Sequence, residues 1–236
     1  MRISKVAVNI RVNGNLRGYT LIAGFPGIGV VGPIVAKHIV ESQNLKLIGS
    51  ITSDKFPAVS AISKGVAESP VRIYADPKRK IAVILSEIMF KEDSAKELGT
   101  ELINFAKKAG IREIISIAGV LIPNSNKDRI YGVVSSEKLL KLLDKYGIAP
   151  VPKGVTTGIS ASLLVNGKAQ NVSVLLLLGT LHAKEDFRAA AEIIKMLDQM
   201  LELNVDYDSL LEQAKSIERE VSSVMQHSKS ASTMYG

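Results

Sequence analysis

Gly27, Gly29 and Gly32 lie in the run Gly24-Phe-Pro-Gly-Ile-Gly-Val-Val-Gly-Pro33 and match the spacing G-x-G-x-x-G. The pattern follows an apolar segment and precedes a helix-like one. In a dinucleotide site that context lets the backbone approach a pyrophosphate, which the free N–H groups of the helix end receive. The same residues suit, as the preferred reading, a tight strand-to-helix turn in which glycine permits close packing. Pro33 removes an N–H directly after the third glycine, and Pro26 stiffens the approach. The acidic residue expected about 20 positions further on has only Glu41, too early and helical, or Asp54 to supply it.

Asp54, Glu87, Thr156, Thr157, Ser160 and His182 are the polar candidates for catalysis. Glu87 and His182 each follow an apolar strand-like run, at the end where open α/β sheets bind ligands. A carboxylate and an imidazole that converge there could exchange protons with a substrate. The preferred reading of His182 is a helix cap or a backbone partner. The sequence carries no G-x-S-x-G elbow, no H-E-x-x-H helix and no Walker loop. Cysteine is absent, which excludes disulfides, thiol catalysis and cysteine-held metals. His38 sits in a helical segment and His227 near the end, so no spacing suggests a metal site. We expect neither metal nor cofactor.

The sequence closes on Met234-Tyr235-Gly236 after a polar stretch, 226–233, rich in serine. An apolar residue, a tyrosine and a terminal carboxylate on a tether suit a peptide ligand; the alternative is a simply disordered chain end or a cloning remnant. The ring fills a slot, its hydroxyl hydrogen-bonds, and the carboxylate meets a lysine or backbone N–H groups. Eight residues of tether reach up to about 26–29 Å.

Alternating apolar strands and amphipathic helices must position these groups. Val6 to Val12 and Tyr19 to Gly24 read as strands around Asn13-Gly14-Asn15, a hairpin signal. Val31 to Val40 reads as a helix with Pro33 in its first turn. Strands follow at Leu45 to Ile51, Val71 to Tyr74, Ile81 to Leu85, Glu113 to Ala118, Ile148 to Val151 and Val172 to Leu178. Helices are expected over Ser94 to Lys108, Ser136 to Tyr146, Ile159 to Val165, Ala183 to Leu203 and Asp208 to about Val224. Ser94 with Glu97 resembles a capping box, and Gly110 ends that helix. The pattern is that of an α/β domain with a mostly parallel or mixed sheet between helical layers. We expect a single domain over 1–225, including the two C-terminal helices, and a flexible tail over 226–236.

Of 236 residues, 46% are hydrophobic and 22% charged, enough to bury a core. No apolar run is long enough to span a bilayer, and the first residues show no apolar signal region. A cytoplasmic protein is expected. The net charge is +7. Lys78-Arg79-Lys80 is the only dense basic cluster in sequence, and tryptophan is absent. Nucleic-acid binding, which favours clustered cations beside exposed aromatics, is therefore disfavoured.

The glycine–proline run 24–33 resembles the opening signature of the type-two proteasome assembly chaperone family, archaeal members included. Gly154-Val-Thr-Thr-Gly-Ile-Ser160, the turn before Asp186-Phe-Arg-Ala-Ala190 and the paired terminal helices also fit, so the resemblance spans about residues 5–225. It implies a three-layer α/β/α fold like that of phosphorylases and peptidyl hydrolases, without an established catalytic site. It further implies a homo-oligomer that works with the proteasome core particle. Met234, Tyr235 and Gly236 match the hydrophobic–tyrosine–any-residue terminus that docks between α-ring subunits. By that resemblance Met234 makes an apolar contact, Tyr235 packs and hydrogen-bonds, and the Gly236 carboxylate meets a pocket lysine. The competing reading is a nucleotide- or nucleoside-binding enzyme that uses the Gly27–Gly32 loop with Glu87 or His182.

Overall fold

The computed structural model describes residues 8–122, 129–181 and 186–212. Strands β1 (Asn9–Val12), β2 (Thr20–Gly24), β3 (Lys46–Thr52), β6 (Val71–Asp76), β7 (Ile81–Ser86), β8 (Glu113–Val120), β9 (Ile130–Val134), β10 (Ala149–Pro150) and β11 (Val174–Thr180) form one sheet. Its order is β1-β3-β6-β7-β2-β8-β11-β9-β10. The central four, β7, β2, β8 and β11, are parallel. Antiparallel pairings of β1, β3 and β6 on one flank, and of β9 on the other, make the sheet mixed. A small hairpin, β4 (Ala61–Ser63) with β5 (Val66–Glu68), bridges β3 and β6.

Helices cover both faces. Successive residues of a strand point to opposite sides. Leu21 and Ala23 therefore join one core with Ile84, Ile114 and Leu176, under α2 (Glu92–Ala109) and α4 (Gly158–Gln170). Ile22 joins the other with Val83, Ile115, Leu175 and Leu177, under α1 (Val31–Ser42), α3 (Leu140–Lys145) and α5 (Phe187–Leu201). The result is a three-layer α/β/α sandwich with a mixed sheet. No helix among the described residues is long and apolar enough to cross a membrane.

Three local expectations are corrected. Val6–Val12 and Tyr19–Gly24 do not form a hairpin. Every residue of β2 is buried, which suits the middle of the sheet, whereas β1 alternates exposed and half-buried residues as an edge strand does. The loop between them crosses the end of the sheet: the Asn13 N–H donates to Ile48 O at 2.8 Å and that of Gly18 to Gly110 O at 2.7 Å. Ser94 does not cap α2. Lys91 holds that position without a side-chain cap, Ser94 is buried one turn in, and Glu97 instead takes a 2.7 Å hydrogen bond from Lys55 Nζ. Glu92 and Asp93 in the first turn favour the helix dipole in place of a cap. The segment from Ser136 to Tyr146 is a 3₁₀ turn, Glu137–Leu139, followed by the short α3 rather than one helix. Strands β4, β5 and β9 are additional to the expected set.

The helix ends are set locally. Gly110 closes α2 at φ +68°, with its N–H turned back to Lys107 O, and the Asp186 carboxylate caps α5 by accepting from Ala189 N–H at 2.8 Å. Past α5 the chain is tied to α1, where His38 Nε2 bonds Asp206 O and Gln43 Nε2 donates to Asn204 O at 3.3 Å. Residues 208–212 begin a further helical segment. The rest of the expected last helix, His227 and the tail with Met234, Tyr235 and Gly236 lie outside the described residues.

Helices α2 and α4 touch through a small-residue seam. A Cβ on Gly99 would stand 2.5 Å from both Cβ and Oγ of Ser162, and Ser162 Oγ donates to Lys96 O at 2.8 Å. Asn166 Nδ2 extends the seam to Ser162 O and to Thr100 Oγ1. Gly99→Val should wedge the two helices apart and lower the unfolding free energy by about 1–3 kcal/mol, the usual cost of overpacking. Urea denaturation checks this, and an unchanged midpoint would refute the close approach.

Candidate functional site

The carboxyl ends of β7, β2, β8 and β11 share one end of the sheet, and the amino ends of α1, α2, α4 and α5 face the same way. In open α/β sheets this is where ligands bind. Here the crevice between β2 and β8 is occupied by the chain's own turn, 25–30. A Cβ on Gly119 of β8 would lie 2.6 Å from Ile28 O and 2.6 Å from the Leu181 side chain. The Leu181 methyls also sit against Gly29. The Asp186 N–H donates to Gly29 O at 3.2 Å and ties the turn to the start of α5.

Three of the four glycines have distinct packing reasons. Gly24 faces Ala36 of α1 and Gly32 O, so any side chain there would push α1 off the sheet. Gly32 stands over the turn's own backbone, where a Cβ would be 2.5 Å from Phe25 O and 3.2 Å from Ile117 O. Gly29 has φ +76°, a left-handed conformation that favours glycine. Val30 follows at φ +52°, a strained setting for a β-branched residue, and it opens α1 without a side-chain cap. Gly27 is extended and meets nothing within 4 Å. Close packing thus accounts for Gly24, Gly29 and Gly32 through protein contacts alone. Val31 and Gly32, the first residues of α1, are buried.

The other expected site residues do not assemble into one centre. Glu87 follows β7 and its carboxylate is 2.9 Å from Arg72 Nη2. Arg72 is buried on β6, and its Nη1 also bonds Glu68 Oε2 at 2.8 Å, while its Nε has no partner among the described residues. Burial works against the Arg72 charge. The Glu68 hydrogen bond, with the charges of Tyr74, Glu87 and Glu68, outweighs it and holds the pKa above the ordinary guanidinium value. Burial raises the Tyr74 phenol, with Arg72 opposing. Glu87 is therefore a counter-ion for a buried guanidinium. Asp54 is exposed, as are Thr156 and Thr157 before α4. Ser160 Oγ lies 3.0 Å from Ser116 Oγ, a hydroxyl pair between α4 and β8. His38 is engaged by the Asp206 carbonyl. His182 lies outside the described residues. Among those described, no group of three His, Asp or Glu side chains is placed to hold a metal ion.

Arg72, Glu68, Ser116 and Leu181 were not among the residues singled out from sequence. Arg72 had a signal: a lone cation inside the apolar run Val71–Tyr74 must be buried with a counter-ion or lie at an edge. Leu181 had none, because only the fold brings it over Gly29.

A mixed-sheet α/β/α sandwich whose switch-point crevice is filled by its own glycine turn defines the class of protein. The PAC2 family model matches residues 21–225, and the chain belongs to that family. It is 30% identical to Pyrococcus furiosus PbaA, an archaeal homolog of proteasome-assembly chaperone. The two superpose with a TM-score of 0.86 over 95% of this chain and 94% of that one. Pyrococcus furiosus PbaB, an archaeal proteasome activator, shares the fold at 23% identity, with a TM-score of 0.80 over 93% of this chain and 99% of that one. An uncharacterized protein of Methanocaldococcus jannaschii is 27% identical over 85% of this chain and 83% of its own length.

The glycine contacts separate packing from ligand binding. Gly32→Ala should cost about 1–3 kcal/mol because backbone cannot yield as a flexible side chain can. Gly27→Ala should stay within about 0.5 kcal/mol, as a surface change does. Thermal and urea unfolding of both variants measure the contrast, and equal effects would contradict it.

Proposed function

We propose that this protein works by contact rather than catalysis, as a proteasome assembly chaperone or activator-like protein that binds the α ring of the core particle. The observation that carries the reading is the PbaA likeness, with family-level identity and a shared fold along nearly the whole chain. The filled crevice supports it. The position where a related fold would take a ligand is spent on holding α1 against the sheet. The alternative, a nucleotide- or nucleoside-binding enzyme, would use the turn with Glu87, whose carboxylate pairs with Arg72, or with His182, which lies outside the described residues.

Within this proposal residues 1–225 form one folded unit and 226–236 a tether. Met234, Tyr235 and Gly236 are the docking group. Burying a tyrosine covers about 150–250 Å², or about 4–6 kcal/mol at ~25 cal/mol/Å². A charge-assisted hydrogen bond to the carboxylate adds about 1.5–3 kcal/mol. Association costs at least about 4 kcal/mol, so one tail binds weakly. Several tails carried by a homo-oligomer gain about 10²–10⁴ in avidity when their span matches the pockets.

Deleting Met234 to Gly236 should leave the unfolding midpoint and the oligomer mass unchanged while abolishing co-elution with purified core particle. Tyr235→Ala should come close to the same loss, and one residue appended after Gly236 isolates the carboxylate. Undiminished co-elution of the truncated chain would refute the docking role.

A further inference from the structure

The opposite end of the sheet, where the parallel strands begin, carries a concentration of cations that the chain's order hides. The turn between β6 and β7 contributes Lys78, Arg79 and Lys80. The last turn of α2 contributes Lys107 and Lys108. Arg17 comes from the loop before β2, and Arg112 from the entry to β8. All of these residues are exposed.

Backbone hydrogen bonds make this one surface. Thr20 N–H donates to Lys80 O at 2.9 Å, which fixes the β6–β7 turn beside the start of β2. Gly18 N–H donates to Gly110 O at 2.7 Å, and Arg112 N–H to Tyr19 O at 2.8 Å. These bring the end of α2 and the entry to β8 to the same loop, where the Arg17 side chain lies against Gly110.

Arg79 and Arg112 are held differently from the lysines. Arg79 pairs with Asp76 at 2.7 Å and Arg112 with Glu113 at 2.9 Å. Among the described residues no carboxylate is within ion-pair distance of Lys78, Lys80, Lys107 or Lys108. The dipole of α2 explains cations at Lys107 and Lys108. It does not explain the β6–β7 turn, which belongs to a strand pair. Unneutralised like charges held together by a rigid frame repel one another and gain from a complementary acidic surface.

We propose that this cationic end is a second docking surface, complementary to an acidic protein surface on the partner that receives Met234 to Gly236. The proposal rests on the functional reading above and adds the partner's chemistry to it. An acidic protein fits better than nucleic acid for two reasons. Two carboxylates, Asp76 and Glu113, sit within the patch and occupy Arg79 and Arg112. Tyr19, whose carbonyl accepts the Arg112 N–H, is buried and offers no base a stacking face. Such a surface acts mainly on the rate of encounter and on its salt dependence.

The test measures association of the full-length chain with purified core particle at rising ionic strength. One variant carries Lys78→Gln, Lys80→Gln, Lys107→Gln and Lys108→Gln. A control with the same change in net charge carries Lys64→Gln, Lys91→Gln, Lys96→Gln and Lys153→Gln. Neutral glutamines keep the fold, which an unchanged circular dichroism melt verifies. The patch variant should associate about 10-fold more slowly at low salt and lose most of its salt dependence, while the control stays within about 2-fold of wild type. Patch and control variants with equal rates would overturn this proposal and leave the tail reading standing. Wild-type chain that does not bind the core particle would overturn both. Duplex DNA bound by wild type and lost in the patch variant, with core-particle association unaltered, would overturn it in favour of nucleic acid.

Discussion

The close approach of the 24–32 backbone to the sheet is the constraint on which the rest of the structure depends. Gly32 rests on Phe25 O, Gly119 on Ile28 O, and Gly24 on Ala36. No residue with a Cβ fits these contacts without displacing α1 or β8. They seat α1 on β2, β7 and β8, and α1 in turn carries α5 and the segment up to Asp206. One turn therefore organises an entire helical layer, and the strain of Val30 is borne within it. The same contacts close the crevice that open α/β sheets otherwise use for ligands. A glycine spacing usually associated with phosphate binding is here a way of bringing backbone against backbone.

The two ends of the molecule expose different groups. Ile28, Met89, Leu121 and the β4–β5 hairpin residues Ile62 and Val66 are exposed at or near the carboxyl ends of the parallel strands. The lysines of the β6–β7 turn and of α2 occupy the other end. Buried charge is used sparingly. Arg72 is held by Glu68 and Glu87, and the three side chains together tie the β5–β7 corner. A rigid three-layer body with an apolar end and a cationic end is suited to presenting binding groups to a partner.

Much of the fold was legible because the central strands are apolar on both faces and the helices amphipathic on one. Val174–Thr180 and Ile81–Ser86 are almost continuous apolar runs. The register of Leu98, Leu102 and Ala106 marks the buried face of α2. What the sequence hid was long-range. Asn13-Gly14-Asn15 has hairpin chemistry, yet the flanking strands lie apart in the sheet, because a strand buried on both faces outcompetes a local turn. Ser94 and Glu97 have capping-box spacing, yet Lys55 claims the glutamate from across the fold. In the site region the glycine turn was legible as a motif, but its use was not. Leu181, 149 residues after Gly32, decides what sits in the crevice, and no local pattern announces it. The cationic end was equally hidden, since its members come from separated segments that backbone hydrogen bonds unite.

The central claim is that this body exists to bring its terminal residues to a ring of partner subunits. The most direct measurement is a cryo-electron microscopy reconstruction of the full-length chain mixed with proteasome core particle. The account predicts side-chain density for Tyr235, with the Gly236 carboxylate beside a lysine, in the grooves between neighbouring α subunits. A complex held through the folded body alone, with those grooves empty, would contradict it.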